Sequence, residues 1–135
     1  MDNKKANKLF DEGYAYETGN GIAQNIDKAI EKYLEAGENG HADAICRAGY
    51  CYQYKLNRPD IEKAVNCYKQ SIACHDNDTT EANGNAYVYL SICYKTGKGV
   101  EKSESIAEEL MIKAKNLDAP ILHNGEIMKY FSAYK

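Results

Sequence analysis

The residues of this chain with the most chemical potential are five cysteines (Cys46, Cys51, Cys67, Cys74 and Cys93), three histidines (His41, His75 and His123) and the acids Asp76, Asp78 and Glu81. A catalytic nucleophile needs a base within reach and a third group to orient that base. The histidines fall in turns or helix starts with no serine or cysteine motif around them, so no catalytic centre and no enzyme is expected. Cys74-His75-Asp76 with Asp78 has the wrong ligand spacing for zinc, and Glu81 stands where a calcium loop requires glycine. No metal is expected, and the run reads as a polar surface loop. Gly19-Asn20-Gly21 and Gly97-Lys98-Gly99 lack the third glycine of a dinucleotide site, and no phosphate-loop lysine-threonine pair follows either. They read as turns, and no cofactor is expected. The odd number of cysteines, without any C-x-x-C pair, reads as reduced thiols that fill a core.

Composition narrows the classes further. The chain has 135 residues, 44% of them hydrophobic and 27% charged, which suits one folded body and leaves no room for a second ordinary domain. A formal charge of −3 supplies no field for nucleic acid or anionic lipid, so neither is expected as a partner. No apolar stretch follows the basic N-terminus, and no window reaches the run of about 20 apolar residues that a membrane helix needs. A soluble, cytoplasmic protein is therefore expected. Twelve tyrosines against two phenylalanines and no tryptophan suit either a core edge or a recognition surface, because tyrosine joins an apolar ring to a polar tip.

The elements that would position these side chains come from an internal repeat. Lys28-Ala29 returns at Lys63-Ala64, with Ile106-Ala107 in the same setting, at offsets of 35 and 43. Three residues before each pair stand Asn25, Asp60 and Ser103, side chains that cap a helix start. Beyond each cap runs one apolar stripe of helical period: Ala29, Tyr33 and Ala36, then Ala64, Tyr68 and Ser71, then Ala107, Met111 and Ala114. These are the second helices of three hairpins. In the first helices Gly13, Gly49 and Ser91 each precede a tyrosine (Tyr16, Tyr52, Tyr94) by three residues. A small residue recurring inside a helix predicts close approach of the neighbouring helix backbone.

The linking turns share their punctuation in the first and third units, where Ile22 or Val100 is expected to pack under the loop. The second, from Tyr52 to Pro59, has no glycine and is one residue shorter. The units are about 3–40, 41–75 and 84–117, with a polar insertion at about 75–84. A closing helix at about 120–134 follows Asp118-Ala119-Pro120. The fold class is all-α, an α-α superhelix in one domain spanning 1–135.

The string Tyr16-x-x-Gly19-x-Gly21-Ile22-x-x-Asn25-x-x-Lys28-Ala29-x-x-x-Tyr33-x-x-Ala36-x-x-x-Gly40 resembles the SEL-1-like repeat, a relative of the tetratricopeptide repeat. Ala86 to Ala114 resembles it as well, and Ala44 to Ser71 more loosely. The resemblance implies an adaptor or scaffold for protein–protein contacts, commonly without chemistry of its own. Some secreted, cysteine-rich members staple each hairpin with a disulfide; here Cys51 and Cys93 share one repeat position and Cys67 and Cys74 lie on one helix, so that feature is not expected.

With the groove positions of the tetratricopeptide relative, the resemblance implies a concave surface bearing Asn7, Phe10 and Tyr14, then Asp43, Cys46, Tyr50 and Tyr54. Asn85, Val88 and Ile92 follow from the third unit, and Asn124 and Met128 from the closing helix. Amides among apolar and aromatic groups suit an extended or helical peptide of a protein partner. No arginine or lysine clamp for a terminal carboxylate or phosphate is read on that surface. The alternative is a structural or inhibitory protein acting through its convex face or through Met128, Phe131 and Tyr134 of the closing helix, a face that also suits a homodimer.

Overall fold

Helices begin where a side chain can accept from the first free backbone N–H groups. In the computed structural model, which describes residues 4–77 and 85–116, Asn25 Oδ1 accepts from the Lys28 N–H at 3.1 Å. Asp60 Oδ1 accepts from the Lys63 N–H at 3.2 Å and Ser103 Oγ from the Ile106 N–H at 3.2 Å. These caps open α2 (Ile26–Glu38), α4 (Ile61–Asn77) and α6 (Glu104–Asn116). Before them stand α1 (Lys4–Thr18), α3 (Ala42–Tyr50), which a π-helical turn at Cys51–Lys55 prolongs, and α5 (Asn85–Thr96). No strand occurs among the described residues. The chain divides into two compact parts, Met1–Cys74 and His75–Lys135.

In the first part the apolar stripe is the core. Ala29, Tyr33 and Ala36 of α2, and Ala64, Tyr68 and Ser71 of α4, are all 0% exposed. Ser71 tolerates burial because its hydroxyl donates to the Ala42 carbonyl at 2.8 Å. A Cβ placed on Gly13 would lie 2.7 Å from the Tyr33 ring, and one on Gly49 would lie 2.7 Å from the Tyr68 ring. The small residue thus makes room chiefly for a tyrosine ring, where the sequence pointed to a helix backbone.

Each ring's hydroxyl must also be satisfied, since an unpaired buried donor costs about 1–3 kcal/mol. The Tyr33 hydroxyl donates to Glu17 Oε1 at 2.7 Å and the Tyr68 hydroxyl to Gln53 Oε1 at 2.7 Å. Glu17 and Gln53 are both buried.

In the second part α5 packs on α6. Here Ser91 takes the glycine's place and Met111 the tyrosine's. Ser91 Oγ donates to the Ala107 carbonyl at 2.6 Å, while Met111 is buried beside Ala107 and Ala114 of the stripe. At the edge of the insertion, α4 stays helical to Asn77. The rest of the insertion and the closing helix at about 120–134 lie outside the described residues.

All three hairpins close with one bond, from the cap residue's N–H to the carbonyl of the repeat tyrosine: Asn25 to Tyr16, Asp60 to Tyr52 and Ser103 to Tyr94, each 2.9 Å. Gly19 and Gly97 end their helices in the left-handed conformation, at φ of 75° and 72°, which glycine adopts without steric cost. The second hairpin has no such residue. It ends in the wider π turn, in which the Leu56 N–H donates to the Cys51 carbonyl at 3.1 Å and Leu56 leaves in extended backbone. Val100 is half-buried, but Ile22 is 43% exposed, which corrects the expectation that it packs under its loop. The turn is closed by the Asn25-to-Tyr16 backbone bond and by Gln24 Nε2, which donates to the Glu17 carbonyl at 2.8 Å, and neither bond involves Ile22.

Candidate functional site

Of the candidate residues on α1, Asn7 is exposed and Phe10 is half-buried. The Phe10 ring stacks on His41 at 4.7 Å between centroids, with the planes 2° apart, and tilts against Tyr33 at 5.5 Å. His41 is held for that stack because its Nδ1 accepts from the Ala44 N–H at 3.1 Å and so caps α3. One turn beyond Phe10, Tyr14 is 47% exposed.

On α3, Asp43 is half-buried, as are Tyr50 and Tyr54. The π turn brings Tyr54 against Tyr50, with ring centroids 5.2 Å apart. The Arg47 guanidinium lies 4.5 Å over the Tyr50 ring, and the Lys55 ammonium lies 5.9 Å from it.

Arg47 is in turn fixed from below. Its Nε donates to Glu17 Oε1 at 2.7 Å and its NH2 group to Glu17 Oε2, a two-pronged pair that joins α1 to α3. Glu17 is therefore shared by the Tyr33 hydroxyl and the Arg47 guanidinium, and only 1% of its side chain is exposed. Arg47 and Lys55 thus stand beside Tyr50, two basic groups next to the candidate surface. Arg47 is committed to Glu17, however, and does not act as an anion clamp.

Three positions do not belong on an accessible surface. Cys46 is 5% exposed, Val88 0% and Ile92 2%. They are packing residues, because on a helix buried around most of its circumference the position that would meet a ligand meets neighbouring side chains instead. Asn85 is half-buried. Asn124 and Met128 lie outside the described residues. The remaining candidates on the described residues of the first part, Asn7, Phe10, Tyr14, Asp43, Tyr50 and Tyr54, are exposed or half-buried.

The thiols have the chemistry of core atoms. Burial pushes Cys46 and Cys51 well above the ordinary thiol range, and it pushes Cys67 up to about 11. A thiolate is the reactive form, so these groups are poor nucleophiles at neutral pH. All five cysteines carry free thiols. Burial, then the bond to Glu17, likewise holds the Tyr33 hydroxyl protonated far into alkali. Among the described residues no cluster of histidine, cysteine, aspartate or glutamate could hold a metal ion, and no helix is long and apolar enough to cross a membrane.

Glu17 and Gln53 went unread in the sequence, although a signal was there. Each follows the repeat tyrosine directly, and in the third hairpin, where Met111 has no hydroxyl, that position holds Lys95. The acceptor disappears together with the donor.

Three helical hairpins closed by the same cap-to-tyrosine bond define a repeat protein of the α-solenoid class. The chain belongs to the Sel1 repeat family, whose model matches residues 6–41, 42–76 and 84–118. Similar solved structures include a Sel1 repeat protein from Oxalobacter formigenes, with TM-score 0.74 and 22% identity over 95% of this chain and 48% of that one. A second is c5321, a protective antigen present in uropathogenic Escherichia coli strains that displays an SLR fold, with TM-score 0.70 and 23% identity over 82% of this chain and 22% of that one. A third is Helicobacter pylori cysteine rich protein B, with TM-score 0.59 and 19% identity over 96% of this chain and 97% of that one. The chain thus spans about half of the Oxalobacter protein and under a quarter of the E. coli antigen. Sel1 repeats are generally protein-interaction scaffolds without enzymatic activity.

Proposed function

We propose that this chain is a non-enzymatic adaptor that binds a segment of a partner protein on the face formed by α1, α3 and the π turn. The observation that carries this reading is the set of tyrosines held out on rigid elements. Tyr14 is half-exposed, and the Tyr50–Tyr54 pair is fixed by Arg47, which Glu17 fixes in turn. Aromatic rings that are already ordered lose little conformational entropy on binding and offer large apolar area, which favours them as interface anchors. Asn7 and Asp43 supply polar groups along the same face, and a groove of this composition suits a peptide held by apolar contacts and a few hydrogen bonds. Five free thiols suit work in a reducing compartment such as the cytoplasm.

Affinity capture from the native cell, with the wild-type chain and Tyr14→Ala/Tyr50→Ala run side by side, tests the reading. The double variant is expected to lose the captured partner while its circular dichroism and melting stay unchanged. Capture at the wild-type level by a folded double variant would remove this face from consideration.

A further inference from the structure

We propose that the groove between α2 and α4 is a second binding site, which takes an extended peptide segment of a partner protein carrying one aliphatic residue between an acidic and a basic one. The groove lies among the second helices of the first two repeats and does not depend on the tyrosine surface of α1 and α3. Its volume is about 440 Å³ and it opens to solvent.

Leu34, Ile45, Tyr52 and Cys67 form an apolar pit. Gly37 lets the pit's floor close up, because the Ile45 side chain of α3 occupies the space that a Cβ there would need. A pit of this size accepts one aliphatic side chain and the backbone that carries it, and burying such a side chain is favourable in proportion to the area removed from water.

Above the pit, Asn66 and Gln70 of α4 line the wall, both exposed. Four residues apart on a helix, they project from one face about 6 Å apart along the axis. Two residues of an extended chain advance about 6.8 Å, and alternate residues present their backbone groups on the same side. Two amides at this spacing can therefore each donate to a carbonyl and accept from an N–H of a strand laid along the groove. A helical ligand has spent those backbone groups internally, so the amides select an extended one.

The rim adds polarity. Lys63 stands in the first turn of α4 with its side chain 63% exposed, loosely paired with Asp60 at 3.9 Å. Glu38, exposed, closes α2. Opposite charges on the two walls favour a ligand that presents an acid to Lys63 and a base to Glu38, and they disfavour segments of a single sign.

The test is a random heptapeptide phage library panned on the immobilised full chain, with selected sequences resynthesised and their affinities measured by fluorescence polarisation. Enriched peptides are expected to share an aliphatic residue flanked by an acid and a base. Asn66→Ala/Gln70→Ala, at two exposed positions, is expected to weaken them at least tenfold, and Leu34→Glu to abolish binding. Tyr14→Ala/Tyr50→Ala is expected to leave them unchanged, which separates this site from the tyrosine surface. Absence of that motif, or full affinity in the folded amide variant, would overturn the proposal.

Discussion

In the hairpins α1/α2 and α3/α4 a glycine faces a tyrosine ring, and the residue four places beyond the glycine accepts the ring's hydroxyl. In α5/α6 a serine and a methionine hold the two equivalent positions, and that fourth residue is Lys95. Gly13, Tyr33 and Glu17 form one set, Gly49, Tyr68 and Gln53 a second. Where the ring becomes a flexible thioether, the glycine can gain a side chain, and Ser91 spends its hydroxyl on the Ala107 carbonyl. The difference teaches that these positions function as sets: the first helix supplies a gap, the second fills it, and polarity follows the filling.

The two kinds of hairpin differ on their outer faces as well. Tyr14 is 47% exposed, whereas Ile92 at the equivalent position is 2% exposed. The recognition surface proposed above is accordingly confined to the tyrosine-filled hairpins.

The largest effect expected from breaking a set is that of Gly49→Leu. Its Cβ alone would stand 2.7 Å from the Tyr68 ring and 3.0 Å from the Cys67 side chain. Overpacking of this kind costs about 3 kcal/mol, read as a lower urea midpoint with unchanged m-value. An effect below 1 kcal/mol would mean that the ring is free to move aside. Glu17→Leu should cost about 2 kcal/mol, because it strands the Tyr33 hydroxyl and leaves Arg47 without its carboxylate. That figure is below the range for a fully buried pair, since 31% of the Arg47 side chain remains exposed. Glu17→Gln, which installs the acceptor used by the second hairpin, should cost clearly less. Equal costs for the two variants would show that the hydroxyl is irrelevant.

Alkali provides a gentler perturbation of the first part. The Cys67 thiol is raised by burial from its ordinary 9.0 to about 11, and Cys46 and Cys51 are raised in the same sense. A group that titrates higher in the folded state contributes stability fully present below the unfolded value, and that contribution is lost as pH rises through the folded one. Chemical denaturation should therefore show stability constant to about pH 9 and declining from there to about pH 11. Cys67→Ala should make the decline shallower; the same slope in that variant would exclude its thiol as a contributor. Smallest is the cap: Asp60→Ala should cost about 1 kcal/mol, and a neutral result would show that the backbone bond from Asp60 to Tyr52 holds the turn alone.

Local features were legible in the sequence for a physical reason. Asn25, Asp60 and Ser103 each accept from the N–H three residues downstream, and the Ala29-Tyr33-Ala36 stripe is fixed by helical periodicity, so both are local features. Repetition made them stand out. The Glu17–Arg47 pair was not legible, because its partners are 30 residues apart and a glutamate near a helix end ordinarily reads as a solvated charge. The surface was only partly legible. Sequence register assigns a residue to a helix face, but whether Ile92 meets a ligand or a neighbour depends on what packs there. The groove beside Asn66 and Gln70 was missed because its lining comes from elements that are distant in sequence, Leu34 and Gly37 of α2 with Asn66 and Gln70 of α4.

The sets are tested most directly by a double-mutant cycle at Gly49 and Tyr68. Gly49→Ser alone should clash with the ring, and Tyr68→Met alone should leave a void and an unused Gln53 acceptor. Together they rebuild the arrangement of Ser91 and Met111, with the new hydroxyl placed to reach the Ala64 carbonyl. Urea denaturation of the four proteins is predicted to show the double variant more stable than the sum of the single effects by at least about 1 kcal/mol. Strict additivity would contradict the claim that the hairpins are filled by matched sets.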